Sequence, residues 1–233
     1  YYSDVIKTWQ QFYMYTPPGY NQNTDKKYPV LYLLHGGGED ESGWAKQGKA
    51  DLILDNLIAE EKAVPMVIVM VDGNMPFDAF GETTLKIFER ELKKNVIPFV
   101  EENYRVKTGS RYRALAGLSM GGIQTLYAGI NNTRMFSYLG VFSSGWIQPQ
   151  QKELAESQYT FMKNNTDLIN RNLEEFWISM GGQEDIAYEN CQKMLAKFDE
   201  LDIDYTYSEY PGGHTWPVWR NNLFNFAQLL FQE

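Results

Sequence analysis

Ala114-Leu115-Ala116-Gly117-Leu118-Ser119-Met120-Gly121-Gly122 decides how the rest of this 233-residue chain is read. Tyr112–Ala116 is an apolar, strand-like run, and Met120–Ile130 has helical spacing. Between them lies G-x-S-x-G. A strand that turns this sharply into a helix leaves no room for side chains flanking the serine, and its strained backbone lifts Oγ out above the sheet. The N–H of Met120, first in the helix, then faces any oxyanion forming at that hydroxyl. Ser119 is the candidate nucleophile and Met120 a candidate oxyanion donor.

Working outward, strand-like and helix-like stretches alternate, which predicts an α/β fold around a mostly parallel sheet. Val30–Leu34, Met66–Val71, Phe136–Phe142, Phe176–Met180 and Ile203–Tyr210 read as further strands, and Trp9–Tyr15 as an early edge strand. Continuous apolar runs of this length suit strands buried on both faces. Helical spacing covers 49–61, 84–103, 120–130, 186–201 and 216–231, with Pro98 expected to kink the second. Residues 144–171 break the rhythm, being long and polar. Leaving the carboxyl end of a strand, where ligands bind in such sheets, they read as an insertion forming a lid or pocket wall, or as a solvated excursion.

A serine hydroxyl needs a base, and the chain has two histidines. In the α/β-hydrolase order of serine, acid, histidine, only His214 follows Ser119. His35 instead opens His35-Gly36-Gly37-Gly38, an HGGG-type loop in which Gly37, or alternatively Gly38, would offer an oxyanion-binding N–H. The His35 ring then fixes the loop. Phosphate binding by these glycines is disfavoured: neither G-x-G-x-x-G nor a P-loop pattern occurs, and Glu39, Asp40 and Glu41 follow. Thirteen acids lie between Ser119 and His214, so position must choose. Asp185, in the loop after strand 176–180, is the candidate, with Glu184 the alternative.

Hydrophobic residues at 43% and charged residues at 22% are ordinary for a folded domain and exclude disorder, collagen and coiled coil. All of 1–233 reads as one domain. No apolar run is long enough to span a membrane. A net charge of −9 disfavours nucleic acid and anionic membranes. Cys191 is the only cysteine and reads as a buried filler. With two histidines and no H-E-x-x-H, no metal motif is present, and acyl transfer through these residues calls for no cofactor. A start at Tyr1-Tyr2 reads as a chain cut from a longer precursor, by signal-peptide removal or by domain trimming.

Leu33-Leu34-His35-Gly36-Gly37-Gly38 with Trp44, the Ser119 motif, Gly182-Gln183-Glu184-Asp185, and Tyr210-Pro211-Gly212-Gly213-His214-Thr215-Trp216 with Trp219-Arg220 together resemble the esterase-D-like superfamily. Within it the sequence is most similar to the feruloyl and acetylxylan esterases of carbohydrate esterase family one. The resemblance runs from about Trp9 to Phe231. It implies an α/β-hydrolase fold, a Ser119–Asp185–His214 triad, no metal, and secretion or export by plant-cell-wall degraders, often as a module of a larger polypeptide. The implied partner is feruloylated arabinoxylan or its oligosaccharides. Trp44, Phe77, Phe80, Trp146 and Trp216 lie in loops at the predicted active edge, where aromatic walls suit a phenolic acyl group or a sugar ring. Alternatives are acetylxylan or siderophore esterase, an acyltransferase using a sugar hydroxyl, and a non-catalytic carbohydrate-binding domain. The negative charge opposes an anionic catecholate–iron substrate.

Overall fold

The computed structural model describes residues 1–76, 80–147 and 149–232. Its centre is a seven-stranded sheet. The strands are β3 (Phe12–Tyr15), β4 (Val30–Leu34), β5 (Val67–Val71), β6 (Arg113–Leu118), β7 (Tyr138–Phe142), β8 (Glu175–Met180) and β9 (Thr206–Glu209), in spatial order β3-β5-β4-β6-β7-β8-β9. All neighbours pair in parallel except β3, which runs antiparallel along β5 at the edge. A short ribbon of β1 (Tyr2–Ser3) and β2 (Thr8–Trp9) precedes it, so the early run expected as one strand is divided between the ribbon and the sheet.

The apolar runs form strands because both faces are covered. In β4, Val30, Tyr32 and Leu34 enter one core, while Leu31 and Leu33 enter the other. This is the period-2 alternation of a strand, hidden in the sequence because both faces are apolar. The second core is closed by α2 (Ala50–Ala59) and α8 (Trp216–Ala227), which contribute Leu54, Leu57, Leu223 and Phe226. The first is closed by α3 (Glu82–Glu91), α4 (Ile97–Asn103), α5 (Met120–Ile130), α6 (Lys152–Asn172) and α7 (Tyr188–Glu200). A short helix, α1 (Gly43–Lys46), follows the glycine loop after β4.

Two expectations change. The helix expected over 84–103 is α3 and α4 joined by a π-helical turn, Leu92–Val96. Pro98 falls in the first turn of α4, and the wide turn before it absorbs the backbone bonding that proline cannot make. The stretch 144–171, read as an inserted lid or excursion, is mostly α6, the crossover helix that a parallel β7–β8 pair requires. It is anchored by Leu154, Ala155, Met162 and Ile169. Only the first few residues after β7 keep the expected place at the carboxyl edge.

Candidate active site

Ser119 joins β6 to α5 with φ 50° and ψ −114°, a left-handed conformation costly for any residue with a side chain. Packing enforces it. A Cβ at Gly117 would lie 2.4 Å from the Gly121 carbonyl oxygen, and one at Gly121 would lie 2.6 Å from that of His35. The Ser119 N–H donates to the Phe142 carbonyl at 2.9 Å, and the Ser144 hydroxyl donates to the Ser119 carbonyl at 2.8 Å. The turn is thus tied to the end of β7 from two sides.

The loops after β8 and β9 bring Asp185 to His214. Nδ1 of His214 lies 2.8 Å from Oδ1 of Asp185, whose side chain is wholly buried. Oδ1 also accepts the Ala187 N–H at 2.9 Å. Burial alone would raise the Asp185 carboxyl; bonding to His214 and Ala187, with the Ser143 hydroxyl buried nearby, outweighs it and holds the group below its ordinary value. A carboxylate here fixes the tautomer in which Nδ1 carries the proton and Nε2 is left to accept one. Glu184, the alternative acid, is exposed and takes no part in this pair. The two loops also touch through backbone: Gly182 N–H donates to the Gly212 carbonyl at 2.6 Å, and a Cβ at Gly181 would lie 2.4 Å from that same oxygen.

On the other side, His35 is buried and holds the glycine loop. Its Nδ1 lies 2.8 Å from the Gly36 carbonyl, and its Nε2 lies 2.9 Å from the Gly73 nitrogen and 3.3 Å from Oδ1 of Asp72, so both ring nitrogens have partners. Burial would lower the ring's pKa, but bonding to Asp72 and Gly36 outweighs it and raises it. The His35 carbonyl in turn accepts the Gly121 N–H at 3.1 Å. Gly37 and Gly38 are exposed beyond it. Among the described residues no acceptor takes the N–H of Gly37, Gly38 or Met120.

Ser119 and His214 line one cavity of about 220 Å³. Its walls include Phe80, Ile123, Ile147 and Ile186, with Asn190 contributing a polar group. The buried Gln151 braces two walls, accepting the Ile147 N–H at 2.8 Å and donating to the Phe80 carbonyl at 2.7 Å. None of Ile123, Ile147, Ile186 or Gln151 stood out in the sequence, because an apolar pocket wall and a core position carry the same residue types.

The expected aromatic walls divide. Phe80 lines the cavity, and Phe77 lies outside the described residues. Trp44 does not line it: the indole is 1% exposed and its Nε1 donates to the Leu34 carbonyl at 2.8 Å. Trp146 is 2% exposed and packs into the core, while its chain neighbours Gly145 and Ile147 line the cavity. Trp216 is half-buried between Trp44 and Trp219, in edge-to-face contact with each at 5.2 Å. The series continues from Trp44 to Phe142 and Phe226, and ends at the other side with Trp219 against the His214 ring at 5.0 Å. Trp44 and Trp216 therefore buttress the His214 ring through Trp219. Among the described residues no group of three or more His, Cys, Asp or Glu side chains gathers as a metal site, and no helix is long and apolar enough to cross a membrane.

A parallel sheet with one antiparallel edge strand, crossover helices on both faces and a serine at a strained strand-to-helix turn defines an α/β-hydrolase. The family model described as putative esterase matches residues 3–229, and the chain belongs to that esterase family. The endo-1,4-beta-xylanase/feruloyl esterase of Xylanibacter ruminicola is 37% identical over the whole chain, which covers 31% of that protein. Endo-1,4-beta-xylanase Y of Acetivibrio thermocellus is 28% identical over 94% of the chain and 22% of its own length. The chain thus spans under a third of the length of these relatives. Among solved structures, the feruloyl esterase module from Clostridium thermocellum complexed with sinapinate superposes with a TM-score of 0.82 at 26% identity, covering 100% of this chain and 86% of that one.

Proposed function

We propose that the chain is a serine esterase releasing ferulic or related hydroxycinnamic acids from feruloylated arabinoxylan or its oligosaccharides. One observation carries the reading: Ser119 and His214 share an apolar cavity, and the buried Asp185 is bonded to His214 through Nδ1, which leaves Nε2 as the nitrogen that can serve the serine. In the proposed reaction His214 Nε2 takes the Ser119 proton as Oγ attacks the ester carbonyl. The N–H groups of Met120 and Gly37 receive the oxyanion. His214 then gives its proton to the departing sugar oxygen, leaving an acyl-serine. Water, deprotonated by the same ring, adds to that acyl group; Ser119 leaves with a proton and the free acid is released.

The cavity suits one acyl group. At about 220 Å³ it is smaller than the roughly 300–1,000 Å³ of sites that enclose drug-sized ligands, so a sugar chain would lie outside it. The names of the Xylanibacter and Clostridium relatives support the feruloyl assignment. The word xylanase in the first name and the word module in the second also support a module of a larger polypeptide acting on xylan; export of that polypeptide is part of the proposal. Removal of acetyl groups is the nearest alternative.

The test is hydrolysis of methyl ferulate and 4-nitrophenyl acetate by the wild type and Ser119→Ala. Ferulate release by the wild type, reduced at least about 1,000-fold in the variant, is expected. Acetate hydrolysis with methyl ferulate untouched would move the assignment to deacetylation. Equal rates in the two proteins would remove Ser119 from the mechanism.

A further inference from the structure

Ile186 is 80% exposed, the highest exposure of any large apolar side chain among the described residues. A lone exposed isoleucine is ordinary on a protein surface. This one is not placed at random, because it also lines the cavity that holds Ser119 and His214. Its backbone has little freedom to turn it inward. The Asp185 N–H donates to the Gly182 carbonyl at 2.8 Å, and the Tyr188 N–H donates to the Asp185 carbonyl at 2.9 Å. With the Ala187 N–H also held by the Asp185 carboxylate, the bonds that fix the acid keep Ile186 at the rim.

Across the site, Phe80 belongs to the oxyanion-loop side: its ring lies 3.8 Å from where a Gly37 Cβ would stand. An acyl group on Ser119 would thus have an aromatic wall from the oxyanion side and an aliphatic one from the acid side. A two-carbon acetyl group offers one methyl to be covered, whereas a planar phenylpropenoyl group extends well beyond the carbonyl and offers a whole ring face. The free energy for recognising the longer group is available because Ile186 apolar surface, wet in the free protein, is removed from water only when something flat covers it.

We propose that Ile186 is a specificity-determining residue, the apolar cover of the acyl ring, and that it sets the preference for hydroxycinnamoyl over short acyl esters. This rests on the feruloyl-esterase reading above. It needs no backbone movement, only contact between the side chain and the ring face.

The test compares 4-nitrophenyl ferulate with 4-nitrophenyl acetate, so that the leaving group is constant, for wild type, Ile186→Ser and Ile186→Leu. The ferulate-to-acetate ratio of kcat/KM is expected to fall ~10-fold in Ile186→Ser through a raised KM for the ferulate ester, and to stay within about twofold in Ile186→Leu. Free ferulate should inhibit acetate hydrolysis correspondingly less well in the serine variant. An unchanged ratio in Ile186→Ser overturns the assignment. Equal losses on both esters overturn it too, since they would mean the substitution acts through Asp185. If the wild type cleaves the acetate and not the ferulate ester, the function reading itself fails, on the wild type alone, and this proposal falls with it.

Discussion

Asp185 binds His214 with one oxygen and the Ala187 backbone with the same oxygen, so its charge serves the fold as well as the imidazole. A carboxyl held below its unfolded value stabilises the folded state above that value, and the contribution is lost as pH falls through the lower, folded pKa. The window therefore opens just under the unfolded aspartate value of about 3.9 and extends downward. Asp185→Asn is expected to lower kcat by about 1,000- to 10,000-fold with little change in KM, since the amide keeps the shape but cannot stabilise an imidazolium. Urea midpoints measured from pH 7 to pH 3 should fall less steeply in this variant than in the wild type. At this scale Ser119, His214 and Asp185 could be named as candidates from the sequence, because a nucleophile, a base and an acid would need particular elements at particular strand ends; the structure lines one cavity with Ser119 and His214 and bonds Asp185 to His214. Gly37 could not be told from Gly38, since both share one loop and one chemistry.

The elements were legible where apolar runs were long and bounded by glycine or proline, as in Val30–Leu34 ahead of His35-Gly36. Helix α6 was not. Its buried apolar stripe is sparse, with Leu154, Ala155, Met162 and Ile169 spread through a 21-residue helix that is mostly polar and departs from helical geometry at Asn165. Loop aromatics misled for another reason: sequence places a residue at an edge but does not say which way its ring faces. Trp44 follows the glycine loop, yet its bond to the Leu34 carbonyl turns the indole inward to Phe142 and Trp216. Trp44→Ala is accordingly expected to lose about 3–5 kcal/mol of stability in urea unfolding. The fraction that remains folded should keep the wild-type KM for methyl ferulate. A raised KM at unchanged stability would return Trp44 to the pocket.

Over the whole molecule, the parallel strands end at one edge, and the loops leaving β4, β6, β7, β8 and β9 all contribute there. The lone thiol is set apart from that edge's chemistry. Cys191 is fully buried in the core, and burial together with the neighbouring charges of Asp185 and Glu209 pushes its pKa up to about 12. Native protein is expected to resist alkylation at pH 8, with labelling rising through the same urea transition as the loss of circular dichroism. Labelling well before that transition would show that α7 opens separately from the rest of the fold. The aromatic series that ends on the His214 ring carries a different consequence. Trp44, Trp216 and Trp219 stand edge to face at 5.2 Å, close enough for their transitions to couple. The near-ultraviolet circular dichroism of the resting protein thus carries a signature of the packing behind His214.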